Sequence, residues 1–516
     1  MKTMKMALLA GAAVAVSAAA AHADELSDMK AQIEALNARV ASMEAAPSVP
    51  AGYQLLAVSK GEALQVPGMM GSDRDRVTNE RATIISVMPT ADAPAGTTIS
   101  WSGYVRAAVI YAGEEADGTL KRSASAEEGT TTGPYEVYDK ASDSGNADDD
   151  WDVKAPGQLR VVATTDTAVG EVGVELKMRA DFNSTGNGDA YMKTAWGYWA
   201  MTPELTFGGG YTGSLGNIGY GYDGACTCYY TDNADLSFDP GDTTQLRLSY
   251  ASGPFSMAVA LEDSGKNNGF GNDNGDGIGV PGDDYANGNN LGVAGEIKYS
   301  GDMFSGEISG VYRTVNDDDY TVDTGLEVLG EKVFYDPDIE DLWQVGAGLS
   351  FNLGSMASLS LAAAMGSGPF EEVDSDGDIV EPYPVQNDWW GITGLASANL
   401  SDTVHAELGL GYKHREGDSH LGIDTQGNEG WKYSGFDYDT WGVLAGMYYT
   451  PVDQLTIGLE GEWYTSETSI SRKSTAEFVG DGTQTVNGQW AGEGLKDTLD
   501  VTTDNWSVDL VSVWQF

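Results

Sequence analysis

Basic residues are scarce: 28 Lys and Arg stand against 78 Asp and Glu in 516 residues, a formal net charge of −50. Such a chain repels polyanions, which excludes nonspecific nucleic-acid binding and argues against a general anion scavenger. Histidine is nearly absent, with four in the chain. His22 lies in the N-terminal apolar region, and His405, His414 and His420 have no nucleophile beside them in a suitable motif. No Gly-x-Ser-x-Gly elbow occurs, so no catalytic set is assigned; a hydrolase is a minor alternative, tested by His405→Ala. Beyond the N-terminus no run reaches the roughly 18 apolar residues of a membrane helix. Any membrane crossing must therefore be made by strands. What is plentiful is glycine, 67 residues, and aromatics at 10%, which suits a turn-rich β protein better than a disordered acidic one.

The first 23 residues read as a secretory signal. Lys2 and Lys5 precede an apolar run ending in Ala21-His22-Ala23, a small-residue cleavage site. Cleavage removes those two positive charges and takes −50 to −52. In residues 24–46, Leu26, Met29, Ile33, Leu36, Val40 and Met43 alternate spacings of three and four, a heptad seam that predicts a short periplasmic coiled-coil helix. The competing reading is a single amphipathic helix packed on its own protein. Pro47 and Pro50 end it, and residues 47–97 form a linker in which 81–90 suits a short strand.

From residue 98 to 516 strand-like runs alternate with breaks of two sizes. In 170–182, Val172, Val174, Leu176, Met178 and Ala180 oppose Glu171, Glu175, Lys177, Arg179 and Asp181. A strand with five charges facing an apolar row sits between lipid and water. Roughly sixteen such runs occur, joined alternately by short turns and by long Asp- and Gly-rich loops. Aromatics at strand ends, including Tyr111, Trp389, Trp390, Tyr448, Tyr449, Trp463, Tyr464 and Trp514, suit two interfacial girdles. The predicted fold is all-β: a 16-stranded antiparallel transmembrane β-barrel at 98–516, preceded by the coiled coil. The last run, 502–516, alternates to Phe516 and resembles the closing strand of outer-membrane barrels, where a terminal Phe is read by the barrel-assembly machinery.

SGYVRAAV at 102–109 resembles the GYVR segment of alphaproteobacterial porins, and LQVPG at 64–68 resembles their pre-barrel segment. With the hairpin rhythm and the long third loop, the likeness extends over residues 60–516. The chain departs from that family in lacking a cysteine pair before the first strand and in its added coiled coil. The resemblance implies a homotrimeric, water-filled channel in the outer membrane of a Gram-negative bacterium, in contact with lipid and lipopolysaccharide. It would pass small hydrophilic solutes, with the third loop folded into the lumen and no cofactor required. The alternative is a barrel that anchors the coiled coil as an envelope tether or adhesin.

Under that reading the third loop, 213–241, brings Asp223, Asp232, Asp235 and Asp239 to the constriction, opposite Arg106, Arg160, Lys177, Arg179 and Arg247. Opposed charge rows orient dipolar solutes and filter ions. The plainer alternative is a solvated loop, with the arginines paired to wall carboxylates. Glu296, Glu307, Glu407, Glu460 and Glu462 also lie on polar parities and are expected to attract cations. Cys226 and Cys228 form Cys-Thr-Cys in the same loop, read as an export-compartment disulfide or as two thiols that stay free or pair between chains. Asn272, Asn274, Asp276 and Asp283, around Gly277, loosely match an EF-hand calcium loop, with a flexible acidic turn as the alternative. Asp374, Asp376 and Asp378 form a second such cluster, and Asp148–Asp150 a solvated run.

Overall fold

A computed structural model describes residues 56–67, 82–87, 96–124, 136–139, 150–180, 190–231, 236–263, 291–314, 322–328, 331–335, 342–370, 385–417, 421–423, 429–474, 485–486, 489–490 and 495–516. Except for Leu56 they belong to one compact unit, Ala57–Val87 with Asp92–Phe516; the second unit is Met1–Leu56 with Met88–Ala91. The residues read as a signal sequence and as a coiled coil lie outside the described residues, as do both acidic clusters read as calcium loops.

Sixteen antiparallel strands make the wall. The first five are β1 (Thr97–Ala124), β2 (Gly157–Thr167), β3 (Gly170–Ala180), β4 (Ala190–Ala200) and β5 (Leu205–Gly213). Next come β6 (Asp242–Ser252), β7 (Phe255–Asp263), β8 (Leu291–Ser300), β9 (Phe304–Arg313), β10 (Leu342–Asn352) and β11 (Ala357–Phe370). The last are β12 (Val385–Ser401), β13 (Val404–Gly417), β14 (Glu429–Val452), β15 (Leu455–Ser474) and β16 (Leu495–Gln515). Each pairs with the next, and β16 returns to β1 from Gln515↔Tyr104 to Leu495↔Ala124, so the sheet has no open side edge. A strand at Asp150–Lys154 continues β2 across Ala155 and Pro156, pairing β1 at 108–112; Pro156 has no N–H for the ladder, and its carbonyl takes the Arg106 N–H at 2.8 Å.

Two solvents explain the alternation. On β3, Val172, Val174, Leu176 and Met178 face outward, each more than 40% exposed, while Glu175, Lys177 and Arg179 are buried inside. A soluble protein would hide the first set and hydrate the second; a barrel in lipid does the reverse. Outward aromatics form two belts. Near the short turns Phe255, Tyr299, Phe304 and Phe351 follow one another at ring distances of 5.1, 5.9 and 5.4 Å. Toward the other rim Trp390, Tyr412 and Trp441 do so at 5.2 and 4.3 Å. The girdle assignment needs correction at Trp389 and Tyr448, which are buried inside the barrel, and at Tyr464, which shares the inward parity of Glu460 and Ser466. Side chains alternate along a strand, so Trp389–Trp390, Tyr448–Tyr449 and Trp463–Tyr464 can each give only one ring to lipid.

Turns at one rim are two to four residues long, and Gly253 takes φ +57° in the Gly253–Pro254 turn, a conformation that favours glycine. The strand expected in 81–90 is Ala82–Val87. It pairs with β1 at Thr97–Trp101, on the edge left where the Phe516 N–H bonds Gly103 O and the last strand stops. A second short strand, Leu56–Gly61, pairs with it.

Candidate functional site: the loop inside the barrel

The connection from β5 to β6, residues 214–241, turns into the lumen and follows the inner wall. Near its start Leu215 packs on Ala260, Ala294 and Val311 of β7–β9. Ile218 and, on the return, Phe238 lie against Ala362, Ala364 and Trp389. A single helical turn, α1 (Gly221–Ala225), brings Tyr222, Cys226 and Cys228 onto Leu395 and Leu444 together with Leu236. The tip residue Tyr229 reaches Tyr104, Ala108, Tyr448, Val511 and Val513, where β1 and β16 meet.

Small wall residues make this seat. A Cβ on Gly391 would stand 2.8 Å from the Phe238 ring, and one on Gly411 would stand 2.8 Å from Leu236. Inward-parity glycines and alanines in β10–β14 were the sequence signal for the groove, since a water-lined wall has no need of missing side chains.

A loop inside a barrel must still satisfy its backbone N–H groups. Wall carboxylates do this. Glu262 accepts from Leu215 N–H at 3.0 Å and from Ser214 Oγ at 2.9 Å. Glu307 takes Gly219 N–H at 2.5 Å, and Glu407 takes Thr227 N–H at 2.8 Å and its hydroxyl at 2.7 Å. Glu460 takes both Tyr229 N–H (2.9 Å) and Tyr230 N–H (3.0 Å), while the Tyr222 hydroxyl donates to Glu462 at 2.6 Å. Four of the five glutamates read as cation attractors thus hold the loop. The fifth, Glu296, pairs with Lys298 at 2.9 Å, and Lys298 also meets Glu307 at 2.8 Å.

All five predicted basic residues are buried inside the wall. Arg106 donates to Tyr229 O and to the Tyr104 hydroxyl, both at 3.1 Å, and faces the rings of Tyr104, Tyr229 and Tyr230. Arg160 bonds Glu175 at 2.6 Å, and Lys177 stands 4.0 Å from the same carboxylate oxygen. Arg179 donates to Gln158 at 3.2 Å; Arg247 donates to Gln245 and Gly213 O and lies over Trp196. Of the predicted loop acids, Asp239 accepts the Gly241 N–H at 3.0 Å, at the root of the loop rather than its tip. Asp232 and Asp235, and the side chain of Asp223, lie outside the described residues. Cys226 and Cys228 are joined as a disulfide, Cα atoms 5.2 Å apart. His405 meets Glu407 at 2.8 Å and Asn399 at 2.9 Å, with no nucleophilic side chain among those contacts.

The buried charges are segregated. Among the described residues, on β1–β6 they are Arg106, Arg160, Lys177, Arg179, Lys193 and Arg247 against Glu175 alone. On β7–β16 they are Glu262, Glu296, Glu307, Glu407, Glu460 and Asp509 against Lys298, Arg313, Lys413 and Arg415. One wall is strongly basic, and the wall that carries the loop is net acidic. Such an arrangement sets a field across the lumen rather than along it. Sequence parity placed Arg106, Arg160, Lys177, Arg179 and Arg247 inside and put the five glutamates on polar parities, but gave no sign that the acids cap loop amides; Lys193 and Arg313 were not singled out, and Arg313 bonds Glu262 at 3.0 Å and Pro240 O at 3.1 Å.

Comparison with known proteins places this arrangement. The family model described as Porin subfamily matches residues 95–489. Similar solved structures include a loop-deletion form of OmpT, an outer membrane protein of Vibrio cholerae: 11% identity, 81% of this chain and 99% of that one covered, TM-score 0.42. The anion-selective porin from Comamonas acidovorans aligns at 10% identity over 81% and 100%, TM-score 0.38. A mutant of the Rh. blastica porin does so at 12% over 81% and 100%, TM-score 0.36. No curated protein sequence matches.

Proposed function

The chain belongs to the Porin subfamily, and from that premise we propose that it is a passive diffusion channel for ions and small hydrophilic solutes. The observation that carries the proposal is the loop seated inside a closed barrel whose buried charges are split between opposite walls. It acts as an outer-membrane barrel, and the closed wall gives it a lumen.

Ion choice is a contest of signs. The bare wall, with six buried bases to one acid among the described residues, favours anions. Against it stand the wall glutamates, Asp223, Asp232, Asp235 and Asp239, and a formal charge of −52 once the signal is cleaved. We infer moderate cation preference, stronger at low salt: the Debye length is about 8 Å at physiological ionic strength, so distant loop charges act only when salt is removed. The working form is a homotrimer, with 26–44 as a three-stranded periplasmic stalk, and any calcium at Asn272–Asp283 is structural. Liposome swelling with uncharged sugars of graded size tests the channel. The expected result is fast entry of small sugars by a trimer of native mass; absence of entry, or a monomer, contradicts the corresponding part.

A further inference from the structure

One patch of the inner wall is out of character for a water-filled lumen. Val162, Trp196 and Tyr198 face inward together, and all three are buried. What covers them is the segment just before the barrel: Leu64 and Val66 pack on this cluster, and Ala63 and Val66 are themselves buried. The Leu64 N–H points to the inward Ser100 hydroxyl at 3.4 Å. The segment thus lies within the barrel at the end where the short turns are.

Strand register gives its height. Ser100, Val162, Glu175 and Trp196 form one inward row, and Ser102, Arg160, Lys177 and Thr194 form the next. The rows are two residues apart along each strand, about 7 Å. Val66 therefore sits one step below the basic ladder, on the wall the third loop leaves bare.

We propose that Leu64 and Val66 form a strap that narrows the lumen at this level, so that the size limit for uncharged solutes is set from both walls: by the third loop and by this pre-barrel segment. The proposal rests on the porin reading.

The test uses the whole protein. Asp in place of Val66 forfeits the apolar contact and moves the docked-to-undocked ratio about 30-fold toward undocked, from roughly 2 kcal/mol of lost burial. In planar bilayers Val66→Asp is expected to conduct more than wild type and, in liposomes, to admit larger sugars. A separate measurement needs no change in packing charge. Val66→Cys should react slowly with a bulky thiol reagent, whereas Val58→Cys, on the exposed strand, should react fast. The native cysteines are disulfide-bonded and silent. Unchanged conductance and sugar limit in Val66→Asp overturns the proposal, and so does equal labelling of the two thiols. If Val66→Asp fails to insert, the labelling pair decides. Absence of flux through wild type would sink the channel reading itself, whereas flux together with fast Val66→Cys labelling would sink the strap alone.

Discussion

Replacing Glu460 with Ala strips the tip of the inner loop of its anchor. The carboxylate accepts Tyr229 N–H at 2.9 Å and Tyr230 N–H at 3.0 Å, and it is fully buried. Hydrogen bonds to a charged group contribute about 1.5–3 kcal/mol each, so two orphaned amides cost about 3–6 kcal/mol. Water in the lumen can reach the amides once the tip lifts, so the lower end applies, about 3 kcal/mol. What remains is the Tyr229 ring against Tyr448, Val511 and Val513 and the Arg106 bond to Tyr229 O. The tip should then open about 100-fold more often, at 1.4 kcal/mol per decade. Hydrogen exchange resolves this: Tyr229 and Tyr230 amides speed up by about that factor, while β15 and β16 amides keep the wild-type rate. Glu460→Gln, which keeps one acceptor, should fall between. Unchanged exchange at the tip would refute the anchoring argument, and equal acceleration in β15 and β16 would mean that Glu460 supports the barrel rather than the loop.

Two further substitutions separate the faces of the wall. Val174→Lys puts a charge on the lipid side and should destabilise the barrel by about 2–4 kcal/mol in urea unfolding from vesicles, if Val174 lies near the bilayer midplane; no change would misplace the lipid face. Arg160→Ala leaves Glu175 buried with only the 4.0 Å Lys177 contact and should cost about 3–5 kcal/mol. Adding Glu175→Gln should recover much of that loss in the same assay, and failure to recover would show that the pair is not coupled.

The barrel was legible because every strand repeats one contrast. Runs such as 355–367 and 438–450 fall within the strands Ala357–Phe370 and Glu429–Val452 to within two residues at their turn-side ends, since the turns cut the period cleanly there. Their far ends run past the bilayer, where both faces are wet and alternation carries no signal, so strands such as β14 and β16 extend well beyond the expected limits. The loop was legible as a long connection, but its anchors were not. Glu460 and Tyr229 are 231 positions apart, and nothing in a polar parity says whether a glutamate meets water, a cation or an amide. The docking of the pre-barrel segment was hidden for a similar reason: Val66 looks like an ordinary linker residue until it is seen packed on the inward Val162, Trp196 and Tyr198.

Reversal potential across a salt gradient, measured on single channels of the purified protein in planar bilayers, tests the central claim most directly. A channel through the lumen with the proposed balance of charges gives steady conductance and a moderate cation preference that strengthens as salt is lowered. Changing Asp223, Asp232, Asp235 and Asp239 to Asn should shift the potential toward anions. A chloride preference at both high and low salt would contradict the assigned balance, and a protein that inserts but never conducts would contradict the channel.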